Sequence, residues 1–259
     1  MNAVKSLSRR VSSNPTARVQ WQGLDMKSRH NTLTDALRTV NFDSAADLVV
    51  IGGDLTTENL IAAYTAGIYP WPKDDHEILS WWCPDPRCVV VPEEAHIGRT
   101  VRKEIRREKY RITMDAAFGK VIRNCQSFRS VDRDRTWITP LLRQAYCKLH
   151  DAGYAHSVEA WDGDTLVGGL YGVSIGRVFF GESMFTVAPN ASKVAFASLI
   201  QQLRAWGFDL IDCQQETPIS SQFGSRLISR KEFLRRIEHS VSGPTRVGLW
   251  RFDTPQDEE

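Results

Sequence analysis

Apolar and polar positions along the 259-residue chain change period several times, and each change predicts an element. The run Leu48–Ile51 is apolar without interruption and meets Gly52, Gly53 and Asp54, the pattern of a short buried strand ended by a turn. Thr56 or Thr57 can then cap a helix that carries Leu60, Ile61 and Tyr64 and stops at Gly67. From Ile68 to Arg87 the chain holds Pro70, Pro72, Pro84 and Pro86 together with Trp71, Trp81 and Trp82. Prolines at that density exclude a regular helix and predict an ordered, aromatic-rich crossing.

Seven basic residues fall between Arg99 and Arg111 against Glu104 and Glu108. At helical spacing, Arg99, Arg102, Lys103, Arg106 and Arg107 form a cationic face beside an apolar stripe of Val101 and Ile105. Alternation returns in three runs, His156–Trp161, Thr165–Val173 and Arg177–Phe180, separated by Gly163 and Gly176 turns, which predicts an antiparallel meander. Asn190 or Ser192 then caps a helix with Val194, Ala195, Leu199, Ile200 and Leu203 on its apolar face, ended by Gly207 before a last buried strand at Phe208–Ile211. The fold class expected is α+β. A flexible basic arm spans residues 1–40, a small N-terminal α+β domain 41–84, and the larger domain 85–259. Its strand-strand-strand-helix-strand order is similar to the core of the acetyltransferase (GNAT) superfamily.

Composition narrows the function classes. The chain is 25% charged and 42% hydrophobic, a globular balance, and no apolar run approaches the roughly 18 residues of a spanning helix. Lys and Arg number 33 against 31 Asp and Glu, so any affinity for a polyanion must come from clustered charge. The Arg99–Arg111 segment is one cluster, and Arg226, Arg230, Lys231, Arg235 and Arg236 form another. The cysteines at 83, 88, 125, 147 and 213 are odd in number and include no C-x-x-C pair, which predicts free thiols in a reducing, cytoplasmic compartment. Lys5, Arg9, Arg10 and Arg18 precede the first acid, Asp25, as in a transit peptide. Asn14-Pro15 and the lack of a sustained apolar face favour a frayed arm instead.

Two apparent motifs carry no chemistry. Gly172-Val-Ser174-Ile-Gly176 matches the G-x-S-x-G elbow, but a strand rather than a helix is predicted after it. The histidines and cysteines show no metal-ligand spacing, so neither metal nor cofactor is expected. Thr186–Lys193, ahead of the capped helix, lacks the glycines of a pyrophosphate turn. What remains is Leu210-Ile-Asp-Cys-Gln214. On an extended strand Asp212 and Gln214 face one way and Cys213 the other, and an acid beside an amide in a cleft can hold and orient an amine. The same pattern also suits a strand end that turns polar as it leaves the core.

Eight segments in unbroken order resemble the leucyl/phenylalanyl-tRNA protein transferases. They are Gly52–Leu55, Ala63-Tyr64 with Gly67–Trp71, Trp81–Arg87, Thr136–Thr139, Gly168–Gly172, Phe180–Phe185, Asn190–Lys193 and Leu210–Gln214. The resemblance implies a cytoplasmic leucyltransferase that moves Leu, Phe or Met from an aminoacyl-tRNA to the α-amine of a protein beginning with Lys or Arg, marking it for degradation. It implies no membrane association and a monomer. Residue by residue, it makes Asp212 and Gln214 the catalytic pair and puts Glu182 in the same cleft. Trp71 and Trp137 would grip the terminal adenosine, with Tyr64, Tyr146 and Phe179 near the acceptor end and Leu170, Met184 and Ile211 around the transferred side chain. The chain departs from the family's usual Asn, His and S-L-G run after D-C-Q, having Gln215–Gly224 there, and Leu170 replaces a common methionine. The alternatives are a CoA-dependent N-acetyltransferase on the same scaffold and an RNA-binding module without catalysis.

Overall fold

The computed structural model describes residues 33–37, 40, 42, 45–72, 78–127 and 137–253. Apart from α1 (Leu33–Leu37) and Val40, the expected arm lies outside the described residues. The apolar run 48–51 is strand β1 (Leu48–Ile51), which pairs antiparallel with β3 (Ser80–Trp82), and β3 pairs with β2 (Tyr69–Pro70). The aromatic crossing is thus a small three-stranded sheet, in which fully buried Trp81 donates from Nε1 to the Gly52 carbonyl at 2.9 Å. Thr56 caps α2 (Thr57–Thr65) as the sequence predicts, accepting from the Asn59 amide at 3.3 Å. Gly67, at φ +74°, ends the turn where an added Cβ would stand 2.9 Å from the Phe233 ring.

The larger sheet has the order β10-β4-β9-β8-β7-β6-β5, made of β4 (Arg87–Val90), β5 (Arg111–Met114), β6 (Ala155–Asp162), β7 (Thr165–Ile175), β8 (Val178–Thr186), β9 (Leu210–Gln214) and β10 (Arg226–Ile228). Its pairs are antiparallel except β8 with β9, the pair joined by the long helix α6 (Ala191–Ala205), because a parallel connection needs a crossover. The short arginine-rich α3 (Arg99–Arg106) and α6 pack on one face, over Leu170, Phe179 and Ile211. On the other, α4 (Phe118–Ser127), α5 (Pro140–Asp151) and α8 (Arg230–Val241) join α2 over Tyr171, Val173 and Phe180. The architecture is a mixture of helices and sheet with a core on each face.

Three local expectations change. The cationic helix stops at Arg106, and Arg111 instead opens β5, paired with Trp161. The third meander strand runs on to Thr186. Asn190 takes φ +63° and makes no side-chain cap bond, its Nδ2 donating to Glu104 at 3.2 Å instead.

One feature of the sheet opens the site. The parallel pairing of β8 and β9 covers only Val178–Phe180 with Leu210–Asp212. Past that point Gly181–Thr186 continues along β7, while Cys213 and Gln214 stay with β4. The two strands part and leave a wedge between them.

Candidate active site

A cavity of about 300 Å³ occupies this wedge. Glu182 and Met184 of β8, Leu170 of β7, Ile211 and Gln214 of β9, Phe179, Trp71 and Trp137 all line it, so eight of the eleven residues singled out in the sequence meet around one cavity. Tyr64, Tyr146 and Asp212 do not line it. All three are buried behind the surface and act on residues that do.

Glu182 is 8% exposed and gathers the hydroxyls. Its Oε1 accepts from Tyr64 Oη at 2.7 Å and from Gln214 Nε2 at 2.9 Å, and its Oε2 accepts from Tyr146 Oη at 2.9 Å. The two tyrosine hydroxyls also touch one another. Burial, then the Glu182 charge, push both phenols well above 10, so they remain donors. Burial likewise pushes Glu182 up to about 7, against the opposing pull of those two hydroxyls. A carboxyl poised near neutrality can take up or release a proton under ordinary conditions.

Asp212 departs from the sequence expectation. Strand alternation predicts it beside Gln214 in one opening, with Cys213 turned away. Instead Asp212 is fully buried while Cys213 and Gln214 both line the cavity. The reason is a bulge: Cys88 pairs with Gln214 and Val89 with Asp212, leaving Cys213 as the extra residue, and Gln214 takes φ +60°. Alternation of faces fails at such a step. Asp212 meets Arg87, whose Nε and Nη2 donate to Oδ1 and Oδ2 at 2.8 and 2.6 Å. Oδ1 also accepts the Gln214 backbone N–H at 2.8 Å. The acid therefore touches the backbone of Gln214 and never the cavity.

Sequence reasoning passed over several participants. Arg87 was visible only as one letter of the Trp81–Arg87 block, and its partner lies 125 residues away. Tyr69, Ser183 and Tyr171 line the cavity without any local signal. Gln215, Thr217, Ile219 and Ser220 come from the segment that departs from the family pattern, and they form part of the wall together with α7 (Pro218–Gln222). Cys213 lines the cavity too, and its hydrogen bond to Cys88 and then burial push its thiol above the usual range. Ser174, in the G-x-S-x-G sequence, is buried within β7 ahead of a strand turn, as expected. Among the described residues no group of three or more His, Cys, Asp or Glu side chains could hold a metal ion.

The cationic clusters differ. In the second, Arg226 pairs with Glu94, Arg230 with Asp47, and Arg235 and Arg236 with Glu232. On α3, Arg99, Arg102, Lys103 and Arg106 are exposed and make no ion pair among the described residues. Among the described residues the first cluster thus keeps those four cations without an ion pair, whereas the second keeps only Lys231.

Comparison with known proteins identifies a family. Residues 89–238 match the family described as leucyl/phenylalanyl-tRNA protein transferase, and residues 53–85 match the N-terminal domain of the same family. A leucyl/phenylalanyl-tRNA–protein transferase from an Anaeromyxobacter species is 49% identical over 206 residues, 80% of this chain and 87% of the relative. That of Pseudomonas syringae pv. syringae is 49% identical over 213 residues, 82% and 90% of the two chains. That of Myxococcus xanthus is 48% identical over 203 residues, 78% and 86%.

Proposed function

Because the chain belongs to the leucyl/phenylalanyl-tRNA protein transferase family, we propose that it carries leucine, phenylalanine or methionine from an aminoacyl-tRNA to the N-terminal amine of a protein beginning with Lys or Arg, and so marks that protein for degradation. The observation that carries the mechanism is the fixed carboxamide of Gln214. Its Nε2 is committed to Glu182, so its Oε1 is the atom left to face the cavity and accept an N–H from the incoming amine. An amide is too weak a base to take the proton itself. Glu182, lining the same cavity and near neutrality, receives it as the free amine attacks the ester carbonyl, and gives it to the ribose oxygen as the ester C–O bond breaks and the tRNA leaves with a free hydroxyl. The ester is already activated, so positioning and charge stabilisation suffice without a covalent enzyme intermediate or a cofactor.

Trp71 and Trp137, both partly exposed on the cavity wall, serve as faces for the terminal adenosine, worth about 1–3 kcal/mol per stacked base. Leu170, Met184, Ile211 and Phe179 form the apolar pocket for the transferred side chain, with shape as the selector. Tyr64 and Tyr146 hold Glu182 rather than touching the acceptor directly. The exposed α3 arginines track tRNA phosphates. The cytoplasm, where charged tRNA is made, is the compartment this reading requires, and the enzyme works as a monomer. A GNAT-like core is supported by the meander, the α6 crossover and the parting of β8 from β9. A domain boundary at 84/85 is supported by the separate small sheet and by the two family matches, of which one ends at 85 and the other begins at 89.

The test is transfer of labelled leucine from Leu-tRNA to peptides differing only at position one. Arg and Lys peptides should be labelled and Asp and Glu peptides not, and Gln214→Ala should lose at least about tenfold in kcat, the effect of one positioning hydrogen bond worth about 1.4 kcal/mol. Labelling at wild-type rate by Gln214→Ala would remove the carboxamide from the mechanism. Tight binding of acetyl-CoA with no leucine transfer would favour the acetyltransferase reading instead.

A further inference from the structure

Arg87 is a buried cation held from four directions. Its Nε and Nη2 clasp both oxygens of Asp212, Nη2 also donates to the Gly67 carbonyl at 3.2 Å, and the guanidinium lies 4.8 Å from the Tyr69 ring centroid and 4.4 Å from that of Phe233. Its Nη1 is buried with no hydrogen-bond partner. Arg87 and Asp212 are each fully buried. A pair of this kind is a poor source of stability, because removing two charges from water costs about what their attraction returns, and apolar replacements are often neutral or better. The unpartnered Nη1 adds to the cost. What the pair does is better read from what it touches.

The carboxylate that Arg87 fixes has one further contact, the backbone N–H of Gln214, at a residue whose φ of +60° is a strained conformation for a side chain of this kind. An uncompensated Asp212 in this position would rotate or admit water. Held by a planar fork, its Oδ1 is a fixed acceptor, and the left-handed turn that aims the Gln214 carboxamide into the cavity is fixed with it. We propose that Arg87 is a positioning residue of the transfer reaction, acting through Asp212 on the backbone of Gln214 and touching neither substrate. This rests on the transferase reading above for its effect on rate, but its structural effect is separable. Lysine keeps the charge and loses the fork, which makes Arg87→Lys the informative substitution.

The experiment has two readouts on the full chain. In Arg87→Lys, kcat for leucine transfer should fall about 10–100-fold with KM for Leu-tRNA and for the Arg peptide within about threefold, the signature of lost alignment rather than lost binding. In the same variant, labelled selectively with 15N-glutamine so that the Gln214 signal is the one missing from labelled Gln214→Ala, the Gln214 backbone amide proton should shift upfield as its bond to the carboxylate loosens. An unchanged kcat, a KM that rises with no change in kcat, or an unmoved Gln214 amide resonance would each overturn the proposal. If Arg87→Lys does not fold, the neutral pair Arg87→Gln with Asp212→Asn, which removes both buried charges together, is read by the same criteria. Wild-type protein that transfers no leucine would overturn the transferase reading alone, leaving the amide resonance to decide the role of Arg87.

Discussion

At the scale of single residues, the site depends on what burial does to one carboxyl group. Glu182 is protonated more readily in the folded chain than in the unfolded one, its pKa moving from 4.5 to about 7. Catalysis by its carboxylate should therefore rise with pH through about 7 and level off above it. Glu182→Gln should lose that limb of the kcat profile and retain only the one set by the acceptor amine, whose ordinary pKa is about 8. The same shift has the opposite sign for stability. Between about 4.5 and 7 the folded state binds more protons than the unfolded state, so the wild-type chain loses stability as pH rises through that window, by about 3 kcal/mol. Glu182→Gln carries no such dependence. Its melting temperature relative to wild type should climb from pH 5 to pH 8, and a constant difference across that range would contradict the pKa.

At the scale of elements, the wedge depends on glycine where strands bend. The register of β7 against β8 shifts between Tyr171 and Gly172, and Gly172 lies so close that a Cβ there would be 2.3 Å from the Phe180 carbonyl oxygen and 2.6 Å from the Phe179 ring. Neither neighbour can move freely, one being backbone and the other part of the cavity wall. Gly172→Ala should destabilise the chain by about 3 kcal/mol in urea titration, the upper range for overpacking, and weaken binding of the donor where it still folds. An alanine tolerated without loss would show that the bulge is free to relax. The meander, the capped helix ending at Gly67 and the helix ending at Gly207 were all legible from period and punctuation, because each depends on residues within a few positions of one another. The helices α4 and α5 were not, since their burial is settled by the sheet face they cover.

At the scale of the whole molecule, a chain with a formal charge of +2 binds a polyanion only where its cations are not already engaged. Sequence alone gave the two basic clusters equal standing, and only the fold shows that the arginines of the C-terminal one face Glu94, Asp47 and Glu232. Affinity for tRNA should thus be sensitive to α3. Arg102→Ala and Arg106→Ala should each weaken binding and reduce the slope of log affinity against log salt by about 1, measured by filter binding with charged and uncharged tRNA. Arg235→Ala should leave that slope unchanged. Equal effects from the two clusters would mean that tRNA breaks the Glu232 ion pairs to reach both.

What the sequence determined by itself was the meander, the helices ending at Gly67 and Gly207 and eight of the residues that line the cavity, because hydrophobic period is local and the motif residues of a family keep their order along the chain. Only tertiary structure decided the division of labour between Asp212 and Gln214. Their spacing of two implies a shared face, and a single extra residue in β9, beside an Asp212 held by an arginine from β4, sends one into the core and the other into the cleft. A bulge of that kind is set by pairing with a strand more than a hundred residues away, and no local pattern encodes it.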